Sequence, residues 1–346
     1  VSGDAITKVY GQSRLFARSA GAVAALHTNG GQTAIVGSQL EVESQTANTA
    51  EAVVASVETS STDVRVQGNT ICARGAAALV DGVRVSTAGA LEISDNAIFD
   101  HRCAAGESFG NGAAVRVGSA ALGNIGAPAS FVARNSIGSG PTATSSPFAL
   151  GSSFQSGGSA LQIVSNAVRT LGALVAIESS PLQTRLGFNT VDAAGVDSSL
   201  ERYNALVAGL SYGTPVTLDH NVLITRVEWP SMTPPPSLVD ASHNTLLLAS
   251  LLGGNTGVVG PDDAFGNRIV VYPNPTLLFC AASGTYLDAH LSAAAADVDL
   301  AHLAGLDPNA ILPNDLDNEV RSSDGYRGAD MLPGVACAVV AGTAIP

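Results

Sequence analysis

Residues Val216-Thr217-Leu218-Asp219-His220-Asn221-Val222-Leu223 are followed, 23 positions later by subtraction, by Val239-Asp240-Ala241-Ser242-His243-Asn244-Thr245-Leu246. The same asparagine recurs along the chain as Asn69, Asn96, Asn135, Asn166, Asn189, Asn221, Asn244 and Asn267. Three positions before each stand Val66, Ile93, Val132, Ile163, Leu186, Leu218, Ala241 and Ala264, and two after stand Ile71, Ile98, Ile137, Val168, Val191, Leu223, Leu246 and Ile269. All of these are aliphatic. Position −5 is apolar in Val64, Leu91, Leu161, Val216 and Val239 but not in Ser130, Thr184 or Asp262, and position −4 is mostly polar, as in Arg65, Glu92, Gln162, Arg185, Asp240 and Asp263.

Alternating apolar and polar positions mark a strand with one buried face. Apolar sites at −5, −3 and +2 cannot share one unbroken strand, so the Asn marks a bend between two. Asparagine suits a bend because it tolerates left-handed backbone, and its amide can both donate and accept between stacked copies. A bend repeated in constant phase requires like positions to lie above one another, as in a solenoid whose coils bury their apolar rows by stacking. The expected fold is all-β: a right-handed parallel β-helix of roughly ten coils, about two dozen residues each, with an irregular C-terminal cap. At about 4.8 Å per coil the rod would be about 50 Å long. Residues 1–275 are assigned to the helix, with 1–39 poorly matched, and 276–346 to the cap. An earlier copy is read in Leu40, Val42, Gln45 and Ala47, with Gln in place of Asn.

Composition agrees with this reading. Of 346 residues 46% are hydrophobic but only 5% are aromatic, so the core must be aliphatic, and 37 glycines supply turns. No window is long and apolar enough to insert in a membrane, and runs such as Leu246–Leu252 are strand-sized. Net charge is −13 with Lys8 the sole lysine, which disfavours nucleic acid and anionic membrane surfaces as partners. Cys72, Cys103, Cys280 and Cys337 lack metal-site spacing; their even number fits two disulfides in an oxidising compartment, and free buried thiols are the alternative. No basic and apolar leader follows residue 1, so an extracellular or cell-surface protein would here be a mature chain.

The repeat over residues 40–275 resembles that of pectin-lyase-like β-helix proteins. Tyr286-Leu287-Asp288-Ala289-His290-Leu291, then Ser292 to Leu300, is similar to the segment that follows the last coil in many bacterial secreted members. Asp315-Leu316-Asp317-Asn318-Glu319-Val320-Arg321, with Asp324-Gly325-Tyr326-Arg327-Gly328-Ala329-Asp330, resembles their closing signature. The Ser-Pro of the first segment is missing, and Arg327 stands where an apolar or acidic residue is usual. The resemblance implies a cap over the open edge of the last coil, bracketed by Cys280 and Cys337. It implies no single activity, because such proteins include lyases, hydrolases and adhesins.

For catalysis the sequence offers few groups. The Asn-Thr-Asp, Gly-His-Gly and Arg-x-Lys motifs of pectin hydrolases are absent as such: Asn189-Thr190 runs on through Val191 before Asp192. Asp262 and Asp263 would form a carboxylate pair only if stacked with Asp240, and otherwise are solvated acids beside a turn. Elimination would need a Ca²⁺ site and an unprotonated base; no cofactor is indicated, and basic groups are scarce. His220 and His243 share a register on adjacent coils, as a metal or proton-sharing pair or as solvated turn residues. Asp95, Asp100 and His101 read as turn polar groups, and Trp229, heading a proline-rich loop, as an exposed sugar platform or a packed lid. The expectation is a secreted or surface structural or adhesive rod that binds a glycan or protein without catalysis. The alternative is a diverged polysaccharide lyase or glycoside hydrolase. Assembly state is left open.

Overall fold

A computed structural model of the protein describes residues 6–19, 23–44, 53–61, 63–75, 79–87, 90–100, 102–103, 112–117, 130–138, 146–150, 161–170, 174–177, 184–192, 207–208, 216–225, 239–248, 265–272, 275–283, 286–292, 314–320 and 328–329. They form a parallel β-solenoid with three sheets of nine, ten and seven strands. The first sheet runs from Ile6–Tyr10 to Val239–Ser242, the second from Arg14–Ser19 to Arg268–Val271, and the third from Val23–Asn29 to Val207–Ala208. Each strand pairs in parallel with its counterpart one coil away, so Leu91 lies beside Val64 and Leu223 beside Leu246. No helix among the described residues is long and apolar enough to cross a membrane.

The sequence predicts roughly ten coils of about two dozen residues. Among the described residues seven coils carry all three strands, two carry only the first two, and the tenth contributes Arg268–Val271 alone. The nine steps of the ten-strand sheet span about 43 Å at about 4.8 Å each. Coil length varies because the excursions between sheets vary while the bend at Asn is constant.

The aliphatic rows meet inside. Val66, Ile93, Val132, Ile163, Leu186 and Leu218 of the first sheet join Ile71, Ile98, Ile137, Val168 and Val191 of the second, with Val57, Val83, Val115 and Phe148 of the third, in one core. A coil alone exposes its row; stacking closes it, which is why burial and coil pairing form together. Ser130 and Thr184, the polar exceptions at −5, are buried with their apolar neighbours.

One expectation needs correction. The copy read at Leu40, Val42 and Gln45 is out of phase: Ile35 pairs with Val66 and Leu40 with Ile71, so Ser38 occupies the Asn position. Its backbone N–H donates to Asn69 Oδ1 at 2.9 Å, as an Asn there would. Residues 6–29, poorly matched by the template, still pair strand for strand with the second coil.

The described residues beyond 275 fold back along the outer face of the second sheet. A short 3-10 turn (Pro275–Leu278) leads into an antiparallel hairpin, Phe279–Ser283 with Tyr286–Leu291, whose second strand lies against Ser136–Ile137 and Ala167–Arg169. Leu278, Phe279, Leu287, Ala289, Leu291 and Ala329 cover Ala167, Val222, Ile224, Leu247 and Val270 in a second apolar cluster. Strands buried on both faces read as continuous apolar runs, which explains Val222–Ile224 and Leu246–Leu248. Gly328, at φ +97°, donates to His220 O at 2.9 Å, and a Cβ there would lie 2.8 Å from both Thr190 Oγ1 and Val222 Cγ2. Only glycine fits that approach. Asp315, 1% exposed, organises the turn before it by accepting from Asp317 N and Glu319 N.

Candidate functional site

The bend is built from two residues, and the left-handed one is not the Asn. Positive φ falls on the residue before it: Gly68, Asp95, Arg134, Ser165, Phe188, His220, His243 and Gly266. The Asn side chains point inward, 0–4% exposed, as a continuous ladder. Asn221 Nδ2 donates to Leu186 O and to Asn244 Oδ1, each at 2.9 Å, while its Oδ1 accepts from Asn189 N and Nδ2 at 2.9 and 3.0 Å. Every rung satisfies backbone groups that the bend would otherwise strand.

Left-handed backbone costs a non-glycine residue about 1 kcal/mol, and the side chains in this row interact from coil to coil in ways that offset it. Arg134 grips Asp95 through Nε and Nη2 at 2.7 and 3.1 Å. Phe188, His220 and His243 stack face to face, with centroids 4.8 and 5.0 Å apart and rings within 5° of parallel. The stack ends over Gly266, where a Cβ would be 2.7 Å from His243 Cδ2. The sequence-based reading of His220 as a solvated turn residue is therefore wrong: it is 8% exposed, whereas His243 is open to solvent. Parallel rings direct their nitrogen lone pairs side by side, so the two imidazoles do not converge on one metal.

Asp219 links this stack to the first sheet. It accepts from Arg185 Nε and Nη2 at 2.7 and 2.5 Å, and its Oδ2 lies 2.9 Å from His220 Nδ1. Burial alone would raise its pKa, but these bonds outweigh it and hold the carboxyl below its ordinary value; Arg185 is raised by the same pair. Asp95 is likewise held low by Arg134 and Gln67 against its burial. Asp81, by contrast, is raised: it is enclosed, and its bonds to Arg116 Nε (2.7 Å) and Ala113 N (2.9 Å) offset that only in part. Asp192 and Glu92 face Arg169 and Arg65 one coil away. Glycoside hydrolysis needs a raised acid beside a free carboxylate in a cleft. No such pair forms among the described residues.

A concave surface lies on the outer face of the first sheet, across the first five coils. It is a shallow groove of about 350 Å³. Its central row follows from the register: Lys8 beside Ala34, then Arg65, Glu92 and Phe131, one residue per coil. Alongside run Ile6, Gln32, Asp63 and Ala90. Gln32 Nε2 donates to Asp63 Oδ2 at 3.0 Å, and Arg65 Nε lies 3.4 Å from Glu92 Oε2. Small Ala34 and Ala90 leave dips between these long chains, and Phe131 at the far end is 42% exposed. Sequence reasoning recognised Arg65 and Glu92 as polar strand positions but missed the groove. The available signal was an aromatic, Phe131, in the outward −4 row.

A second, more polar cleft separates the C-terminal hairpin from the coils, between Asp95, Arg102 and Arg134 on one side and Asp288, His290 and Asp317 on the other. His290 bonds Asp288 through Nδ1 and Asp317 through Nε2, the latter at 3.0 Å. Chiefly the Asp288 bond, opposed by burial and helped by Asp317, lifts its pKa from 6.5 to about 10. A folded-state pKa above the unfolded one means that the stabilisation is complete below about 6.5 and is lost as pH rises through about 10. An NMR titration of the His290 ring is expected to show an imidazolium through neutral pH and a midpoint far above 7. A midpoint near 6.5 would remove the clamp.

Of the other sequence candidates, Asp240 lies in the first sheet beside Thr217. Asp262, Asp263, Trp229 and Cys337 fall outside the described residues. Cys72 and Cys103 are disulfide-bonded, with Cα atoms 5.5 Å apart, and Cys280 is in the hairpin. No group of three or more His, Cys, Asp or Glu able to hold a metal occurs among the described residues.

The fold and its surfaces define a parallel β-solenoid with an Asn-ladder spine and a C-terminal strap along one face. No family model, curated protein or solved structure matches the chain.

Proposed function

We propose that the protein is a non-catalytic, ligand-presenting rod, exported to an oxidising environment, whose first-sheet groove binds a glycan. The observation that carries this is the row Lys8, Ala34, Arg65, Glu92, Phe131. It offers charged hydrogen-bonding side chains at a fixed pitch and an exposed ring at one end. Sugars present hydroxyls at their edges and C–H groups on their faces, and a ring with polar neighbours meets both. Absence of catalysis is supported by the pairing of acids with arginines one coil away. Export is supported by the Cys72–Cys103 bond. Kinship with secreted pectin-lyase-like proteins is supported by the Asp315 turn and the Gly328 contact, which give the tail residues that resemble their closing signature a structural reason.

Calorimetric titration with oligosaccharides tests the groove. Phe131→Ala is expected to weaken binding about tenfold, or about 1.4 kcal/mol, while leaving the fold unchanged. Undiminished affinity in that variant would move the site elsewhere.

A further inference from the structure

The cleft under the C-terminal hairpin is separate from the glycan groove and holds about 220 Å³, the liquid volume of roughly seven waters. Its two walls differ in charge. The coil wall sets Arg102 and Arg134 against Asp95, a formal excess of 2 − 1 = +1. The opposite wall sets Asp288 and Asp317 against a protonated His290, a formal excess of 1 − 2 = −1. Arg134 is committed to Asp95, but Arg102 makes only a 3.6 Å ion pair with Asp100, whose side chain is fully buried, and stays 54% exposed. Asp317 is 47% exposed and bonds His290 through Oδ1. Ser136 and Ala167 line the cleft floor between the two walls.

We propose that this cleft binds a small zwitterion of amino-acid size, its carboxylate on Arg102 and its ammonium on Asp317. A simple anion would meet three carboxylates here, and a simple cation would meet two guanidinium groups and an imidazolium. A molecule bearing both charges gains at both walls.

Isothermal titration of the full chain with L-serine tests this, with acetate and methylammonium as singly charged controls. Saturable L-serine binding is expected, weakened at least tenfold by Arg102→Ala and by Asp317→Asn, with neither control competing. Arg102 is largely exposed, so its variant keeps the fold, which far-UV circular dichroism verifies. Phe131→Ala, in the other groove, should leave L-serine affinity unchanged, which separates this site from the glycan site. No saturable L-serine binding, effective competition by either control, or affinity unchanged in both cleft variants would overturn the proposal.

Discussion

Asn221→Ala is expected to lower the free energy of unfolding by about 4 kcal/mol. Removing the amide strands three groups at once: Leu186 O loses its donor, and Asn189 N and Nδ2 lose their acceptor. Asn244 Oδ1 loses one of its donors as well. The site is 0% exposed, so water cannot replace them without opening the bend. Each unpaired buried group costs about 1–3 kcal/mol, and partial relaxation brings the sum to about 4. Gln162→Ala, on the outward −4 row of a first-sheet strand two coils away, should stay within about 0.5 kcal/mol. Urea unfolding compares the two, with amide exchange at Thr190 and Val222 as a local readout, because stacked coils need not unfold in one step. A near-neutral Asn221→Ala would mean that the ladder does not hold the bend.

The second large effect is expected from the Cys72→Ser/Cys103→Ser double variant. The bond closes a loop with a sequence separation of 31 and ties the second sheet of the third coil to the turn after Ile98 in the fourth. Loop closure of that length stabilises by about 3.5 kcal/mol in the chain-entropy model. The double substitution is preferable to a reductant, which would also reach Cys280, itself disulfide-bonded. Denaturant midpoints of the variant and the parent give the difference. A loss under about 1 kcal/mol would show that coil stacking alone orders this stretch.

How much was readable in the sequence depends on what repeats. The Asn ladder and the −3 and +2 rows were legible because every coil must place the same chemistry at the same height. The third sheet was not, since no marker residue accompanies Val57, Val83 and Val115 and the excursions that lead to it vary in length. The left-handed position escaped notice because its occupants, from Gly68 to Phe188 and His220, share a backbone angle and not a chemistry. The early coils were read out of phase because Ser38 replaces Asn and Gln45 lies nearby in sequence. The strap left a trace in the two-sided apolar runs at Val222–Ile224 and Leu246–Leu248, although its path back along the second sheet did not. Neither the groove nor the cleft was legible, because Lys8 and Phe131, or Asp95 and His290, meet only through stacking and folding back.

The most direct test of the central claim is a glycan array screened with the intact protein, with reducing-end and unsaturated-product assays run on every polysaccharide that binds. Binding without products, reduced by Phe131→Ala, is expected. New chain ends or unsaturated products would contradict it, and would direct attention to Asp240, Asp262 and Asp263.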